Sequence, residues 1–103
     1  GYELRRALAA LPGARMDYFL QTADRQTFTY CKPLIREPGK PPRELNRLDK
    51  KNWTPTPAAV SEQLAASVTS LARDVDALIL LEQVDQPETG VLTEAVLAAV
   101  GRF

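Results

Sequence analysis

The chain has 103 residues, 45% of them hydrophobic and 25% charged, with a formal net charge of zero, a composition that suits one domain around one core. With no His and a single Cys, it excludes an imidazole general base, a Ser-His nucleophile pair, a His or thiolate zinc site and an internal disulfide. The neutral total hides a split, because residues 1–52 hold 11 Lys/Arg against 6 Asp/Glu while residues 53–103 hold 2 against 7.

In chain order, Leu4, Leu8 and Leu11 recur at helical spacing, which predicts a helix from Tyr2 to Leu11 that Pro12-Gly13 ends. Met16, Tyr18 and Leu20 alternate with Asp17, Phe19 and Gln21, which predicts a strand over 15–22. Next come two β-rich basic stretches within Arg25 to Asp49. Thr27 to Tyr30 are β-branched or aromatic and suit a pleated surface, with Thr27, Thr29 and Cys31 on one face and Phe28, Tyr30 and Lys32 on the other. Pro38-Gly39 is the type II turn pair, so the chain doubles back into a return strand over 43–49. Cys31 reads as a small buried or half-buried filler, and Trp53 as a packing anchor.

Asn52 to Pro57 forms a proline-punctuated linker. Thr56 as N-cap and Pro57 at the first helical position start a helix that runs to about Ala72, its buried stripe made by Val60, Leu64, Val68 and Leu71. Ala77 to Leu81 is a continuous apolar run, which predicts a parallel strand covered on both faces and ending at Glu82-Gln83, the end where open α/β sheets bind ligands. A loop leads to a last helix over about 91–100. The expected order is helix, strand, strand, strand, helix, strand, helix: an α/β segment, 1–103, in which an antiparallel ribbon (about 25–49) interrupts a layered core (about 1–24 and 53–103).

The residues Arg25-x-Thr27-x-Thr29-Tyr30-x-Lys32, then Arg47-Leu48-Asp49, then Asp76 to Gln83 (DALILLEQ) resemble the central part of PfkB, or ribokinase-family, carbohydrate kinases, most of all the heptose-phosphate kinase branch. The resemblance implies a ribokinase-like Rossmann-type layered fold whose inserted β-ribbon is a lid closing over a sugar. It implies a parent enzyme that moves the γ-phosphate of ATP, with Mg2+, to a sugar or sugar-phosphate hydroxyl. The family's Gly-Gly, N-x-x-E and G-x-G-D motifs are absent here, so the segment alone is expected to bind neither ATP nor Mg2+ and to be inactive without the remainder of the kinase domain. Where heptose-kinase relatives end the apolar strand in Asp-Tyr, this chain has Glu82-Gln83.

Under this reading Glu82, Gln83, Thr27, Thr29, Tyr30 and Asn46 are candidates for hydrogen bonds to sugar hydroxyls, and Arg25, Lys32 and Arg47 for a phosphate on the substrate. The plainer reading of the same three cations, and the one placed first, is as members of solvated cross-strand ion pairs. Lids in some members of the family pair, so a homodimer through the ribbon is a further expectation. A different class, a small polyanion- or nucleic-acid-binding module using the basic ribbon with Tyr30 and Trp53, ranks second because Glu37, Glu44 and Asp49 dilute the patch. No apolar run approaches the roughly 20 residues of a membrane span, and with no sign of an oxidising compartment the cytoplasm is the default. The chain opens inside one helical pattern and stops just after another, as an excised piece of a longer protein does.

Overall fold

The computed structural model describes residues 1–102 as a small mixed α/β domain with three helices and two small antiparallel sheets. Helix α1 spans Tyr2–Ala9; strands β1 (Thr29–Cys31), β2 (Leu34–Ile35), β3 (Arg43–Glu44) and β4 (Leu48–Lys50) follow, then helices α2 (Ala58–Leu71) and α3 (Glu94–Val100).

The four strands make one long hairpin in two ladders. At its base β1 pairs with β4, with Tyr30 opposite Asp49, and nearer the tip β2 pairs with β3, with Leu34 opposite Glu44. Between the ladders the register slips by one residue, so that Lys32 and Pro33 stand against Leu45, Asn46 and Arg47, the extra residue of a β-bulge. Pro33 has no amide hydrogen to give a ladder, and its carbonyl accepts from the Leu45 amide at 2.9 Å. The predicted unbroken return strand over 43–49 is therefore corrected to two short strands around a bulge. At the tip Gly39 has φ +71° and the Lys40 amide donates to the Glu37 carbonyl, the type II turn that Pro38-Gly39 encodes.

Helix α2 packs on α3, and the core between them is small. Among apolar side chains Val60, Val96 and Ala99 are buried, joined by Ser61, Thr89 and Thr93. Helix α3 starts three residues later than its apolar pattern implies, because Thr93 is its N-cap residue. The Glu88 carboxylate accepts the Glu94 amide at 3.0 Å, doing what an N-cap side chain does. Glu88 itself has φ +63°, an uncommon conformation for a residue with a Cβ. It is held there from two sides, since its carbonyl also accepts the Thr56 amide at 2.7 Å. Thr56 is not the cap of α2; Pro57 takes that position, and the Thr56 hydroxyl donates to the Gly90 carbonyl.

Two predicted strands do not form. Residues 15–22 make a turn, with the Phe19 amide on the Met16 carbonyl and Arg15 paired locally with Asp17. Ala77 to Leu81 is unpaired and open, with Ile79 90% and Leu81 71% exposed. A strand needs a neighbour to take its amide and carbonyl groups, and among the described residues none lies beside either segment. Cys31 is exposed, and Trp53 is exposed as well, so neither fills a core; both project from or beside the thin ribbon, where no second layer covers them.

The ribbon gives the molecule its elongated outline, 56 × 35 × 24 Å, and a radius of gyration of 17.5 Å against about 13 Å for a compact chain of this length. The accessible surface is 8231 Å², roughly 2,500 Å² above the ~5,800 Å² that a compact monomer of this mass exposes. Among the described residues no helix is long and apolar enough to cross a membrane.

Candidate functional site: a cleft at the base of the ribbon

The ribbon leans on the rest of the chain at its base, and the sequence supplies specific ties there. The Asn52 side chain takes the Gln26 amide and returns a hydrogen bond to the Gln26 carbonyl, 3.2 and 2.8 Å, continuing the ladder past β4. The Arg25 guanidinium reaches across the linker to the loop before α3. Its Nη1 donates to the Thr54 carbonyl at 2.9 Å and more loosely to Thr54 Oγ1 and the Pro55 carbonyl, and its Nη2 donates to the Thr89 carbonyl at 2.7 Å. The Tyr30 hydroxyl donates to the Gln83 carbonyl at 3.1 Å.

These ties enclose a cleft of about 440 Å³, within the usual size of small-molecule sites. Phe28 and Tyr30 from the ribbon form one wall; Val60 and Leu64 of α2 lie at its apolar side; Glu82 and Gln83 with Gly90 form the other wall. Glu82 folds back so that its Oε1 is 3.3 Å from the Leu92 amide. The space is available because residue 90 is glycine: a Cβ there would lie 1.9 Å from Glu82 Oε1.

Of the nine candidates read from sequence, the cleft gathers Arg25, Tyr30, Glu82 and Gln83. The other five lie elsewhere. Thr27 accepts from the Gly1 amine, and Thr29 donates to the Thr27 carbonyl. Lys32 is 3.9 Å from Glu44, Asn46 is exposed in the bulge, and Arg47 grips Asp49 through two nitrogens while its guanidinium stands 5.5 Å from the Tyr30 ring. The ribbon cations therefore meet carboxylates of the ribbon, the ion-pair alternative, and Arg25 meets carbonyls.

The sequence reading missed Lys51. Its ammonium lies 5.8 Å from the ring centroids of both Tyr30 and Trp53 and donates to Asp85, which holds its pKa above the ordinary 10.5. The signal was present in part: Arg47, Asp49 and Lys51 alternate along one ribbon face with Tyr30 opposite Asp49. Asp85, 34 residues away, had no sequence link to it.

Comparison with protein-family models, curated proteins and solved structures gives no match. The site therefore stands on its own geometry. Among the described residues no three His, Cys, Asp or Glu side chains cluster as cation ligands, and the sequence has no glycine-rich phosphate loop. What the cleft offers is one aromatic wall, one carboxylate, the primary amides of Asn52 and Gln83 and the hydroxyls of Thr22, Thr56 and Thr89, apolar surface set beside hydrogen-bonding groups.

Proposed function

We propose that this chain forms the acceptor side of an ATP-dependent carbohydrate kinase of the ribokinase-like kind, with the ribbon as the lid over a polyol. The observation that carries the reading is the cleft itself, in which the lid base and the Glu82-Gln83 segment face each other. Aromatic rings cover the C–H faces of a sugar, and Glu82 accepts from its hydroxyls with a charge-assisted hydrogen bond. Phosphoryl transfer depends mainly on positioning and on stabilising charge. The lid and cleft contribute the positioning; ATP, Mg2+ and the G-x-G-D chemistry belong to parts of the enzyme outside these residues.

The charge balance of the cleft narrows the acceptor. Its one cation, Arg25, has its donors committed to backbone carbonyls and to Thr54 Oγ1, and Glu82 would repel a phosphate. An unphosphorylated sugar fits better than a sugar phosphate. For the polyanion-binding reading the ribbon is mixed: Lys32, Lys40, Arg47 and Lys51 each meet a carboxylate, while Arg36, Arg43 and Lys50 lie in the same stretch, so that reading ranks second.

The test is ADP release by the full-length encoded protein with ATP, Mg2+ and a panel of neutral sugars and alditols beside their phosphates. Neutral acceptors are expected to be turned over, and Glu82→Ala is expected to raise KM or lower kcat about 10- to 100-fold, the range for losing hydrogen bonds to a charged group. No turnover of any sugar overturns the reading, and wild-type kinetics in Glu82→Ala removes that residue from the site.

A further inference from the structure

We infer that Gly90 is a positioning residue of the cleft: the space left by its missing side chain is the seat that holds the Glu82 carboxylate against the Leu92 amide. The inference rests on the sugar-site reading above, because it says how the one carboxylate lining the cleft is placed for a ligand.

The seat is specific to this glycine. A Cβ at residue 90 would lie 1.9 Å from Glu82 Oε1, the oxygen that accepts the Leu92 amide at 3.3 Å, and 3.0 Å from the Glu82 carboxyl carbon and Val84 Cγ2. A side chain at 90 and the carboxylate in its present place therefore exclude each other. At Gly1, Gly13 and Gly39 a Cβ would meet nothing within 4 Å, and at Gly101 nothing nearer than 3.7 Å.

The surroundings decide which of the two would yield. Residue 90 is pinned: its carbonyl accepts the Thr56 hydroxyl at 2.7 Å, and next to it the Thr89 carbonyl accepts Arg25 Nη2 at 2.7 Å while the Thr89 hydroxyl donates to the Gln86 carbonyl at 2.8 Å. Thr89 and Gly90 are both buried. Glu82, by contrast, is exposed on the stretch 77–84, which has no regular structure, and its carboxylate is the far end of a flexible side chain. Among the described residues the Leu92 amide is the only hydrogen-bond partner of that carboxylate. A methyl group at 90 would thus expel the carboxylate and leave the loop where it is. The expelled group keeps its charge and its length but loses its place, and misplacement by about 1 Å is enough to cost on the order of a hundredfold in rate.

The experiment is a double-mutant cycle of Gly90→Ala and Glu82→Ala in the isotopically labelled full-length protein. It is read by the Leu92 amide resonance without substrate and by ADP release with neutral sugars and alditols. Each single substitution is expected to shift the Leu92 resonance and to lower kcat/KM about 10- to 100-fold. In the Glu82→Ala background, Gly90→Ala is expected to add less than about twofold in kcat/KM and little to the Leu92 shift. Glu82→Gln, whose amide oxygen fits the same seat, is expected to leave the Leu92 resonance close to wild type. Equal effects of Gly90→Ala in both backgrounds would overturn the inference, since the methyl would then act through the loop. A Gly90→Ala chain that no longer folds would overturn it too, because the loop and not Glu82 would have given way. Coupling at Leu92 with no turnover of any sugar supports the seat and overturns only the sugar reading.

Discussion

Lys51 shows how a single side chain ties the ribbon to the loop beneath it. Cation–π contact with Tyr30 and Trp53 orients the ammonium, and Asp85 accepts a hydrogen bond from it. The hydrogen bond to Asp85 is the main cause of its raised pKa; burial opposes it, and the charges of Asp85, Tyr30 and Asp49 add to it. A lysine whose folded pKa exceeds its unfolded value stabilises the fold fully below the unfolded value of 10.5 and loses that contribution as pH rises through the raised folded value. The stability difference between wild type and Asp85→Asn, followed by urea unfolding, is therefore expected to be constant from about pH 7 to pH 10 and to vanish at higher pH. A difference unchanged above the lysine range would mean that the pair contributes nothing through this proton.

At the scale of elements, the ribbon divides into a base held by side chains and a tip held by its own turn. Gly39 sits at φ +71° with open space where a Cβ would be, so the cost of Gly39→Ala is backbone conformation alone, about 1–2 kcal/mol. Because the tip ladder is two residues long on each side, the loss is expected locally. Amide exchange at Lys40 and Leu45 should accelerate about tenfold, with the global unfolding midpoint nearly unchanged. Gly39→Asn should recover part of the protection, since Asn tolerates positive φ. Global destabilisation by Gly39→Ala would show instead that the tip folds as one unit with the helices. The turn was legible because Pro38-Gly39 acts within four residues. The bulge was not, because it follows from where Pro33 and Leu45 meet across the hairpin.

In the whole molecule Arg25 is the residue that joins the parts. It binds the carbonyls of Thr54, Pro55 and Thr89 from the foot of the ribbon, so linker, loop and ribbon share one guanidinium. Arg25→Met is expected to lower unfolding stability by about 2 kcal/mol, within the range for charged hydrogen bonds after allowance for partial exposure, and to release the Tyr30–Gln83 contact. Arg25→Lys should recover less than half, since a point ammonium cannot span the same carbonyls. A loss below about 0.5 kcal/mol on denaturant unfolding would place Arg25 among ordinary surface residues. The elongated outline follows from the same organisation: α2 and α3 bury a core of only a few side chains, and the ribbon extends from it.

The sequence by itself determined what depends on near neighbours: that helices form at α1 and α2, the antiparallel ribbon from its β-branched residues, and its reversal at Pro38-Gly39; the predicted burial was not met, since α1 buries no residue and of the stripe Val60, Leu64, Val68 and Leu71 only Val60 is buried. It also drew attention to Glu82 and Gln83, although for a strand end that does not form. Only the tertiary structure decided that Ala77 to Leu81 lies open and unpaired, since five apolar residues specify burial but not the neighbour that provides it. The cleft, too, was a tertiary outcome. Arg25, Tyr30 and Glu82 carry the same chemistry wherever the chain goes; which of them faces a cavity and which is committed to carbonyls depends on contacts across dozens of residues, which no local pattern encodes.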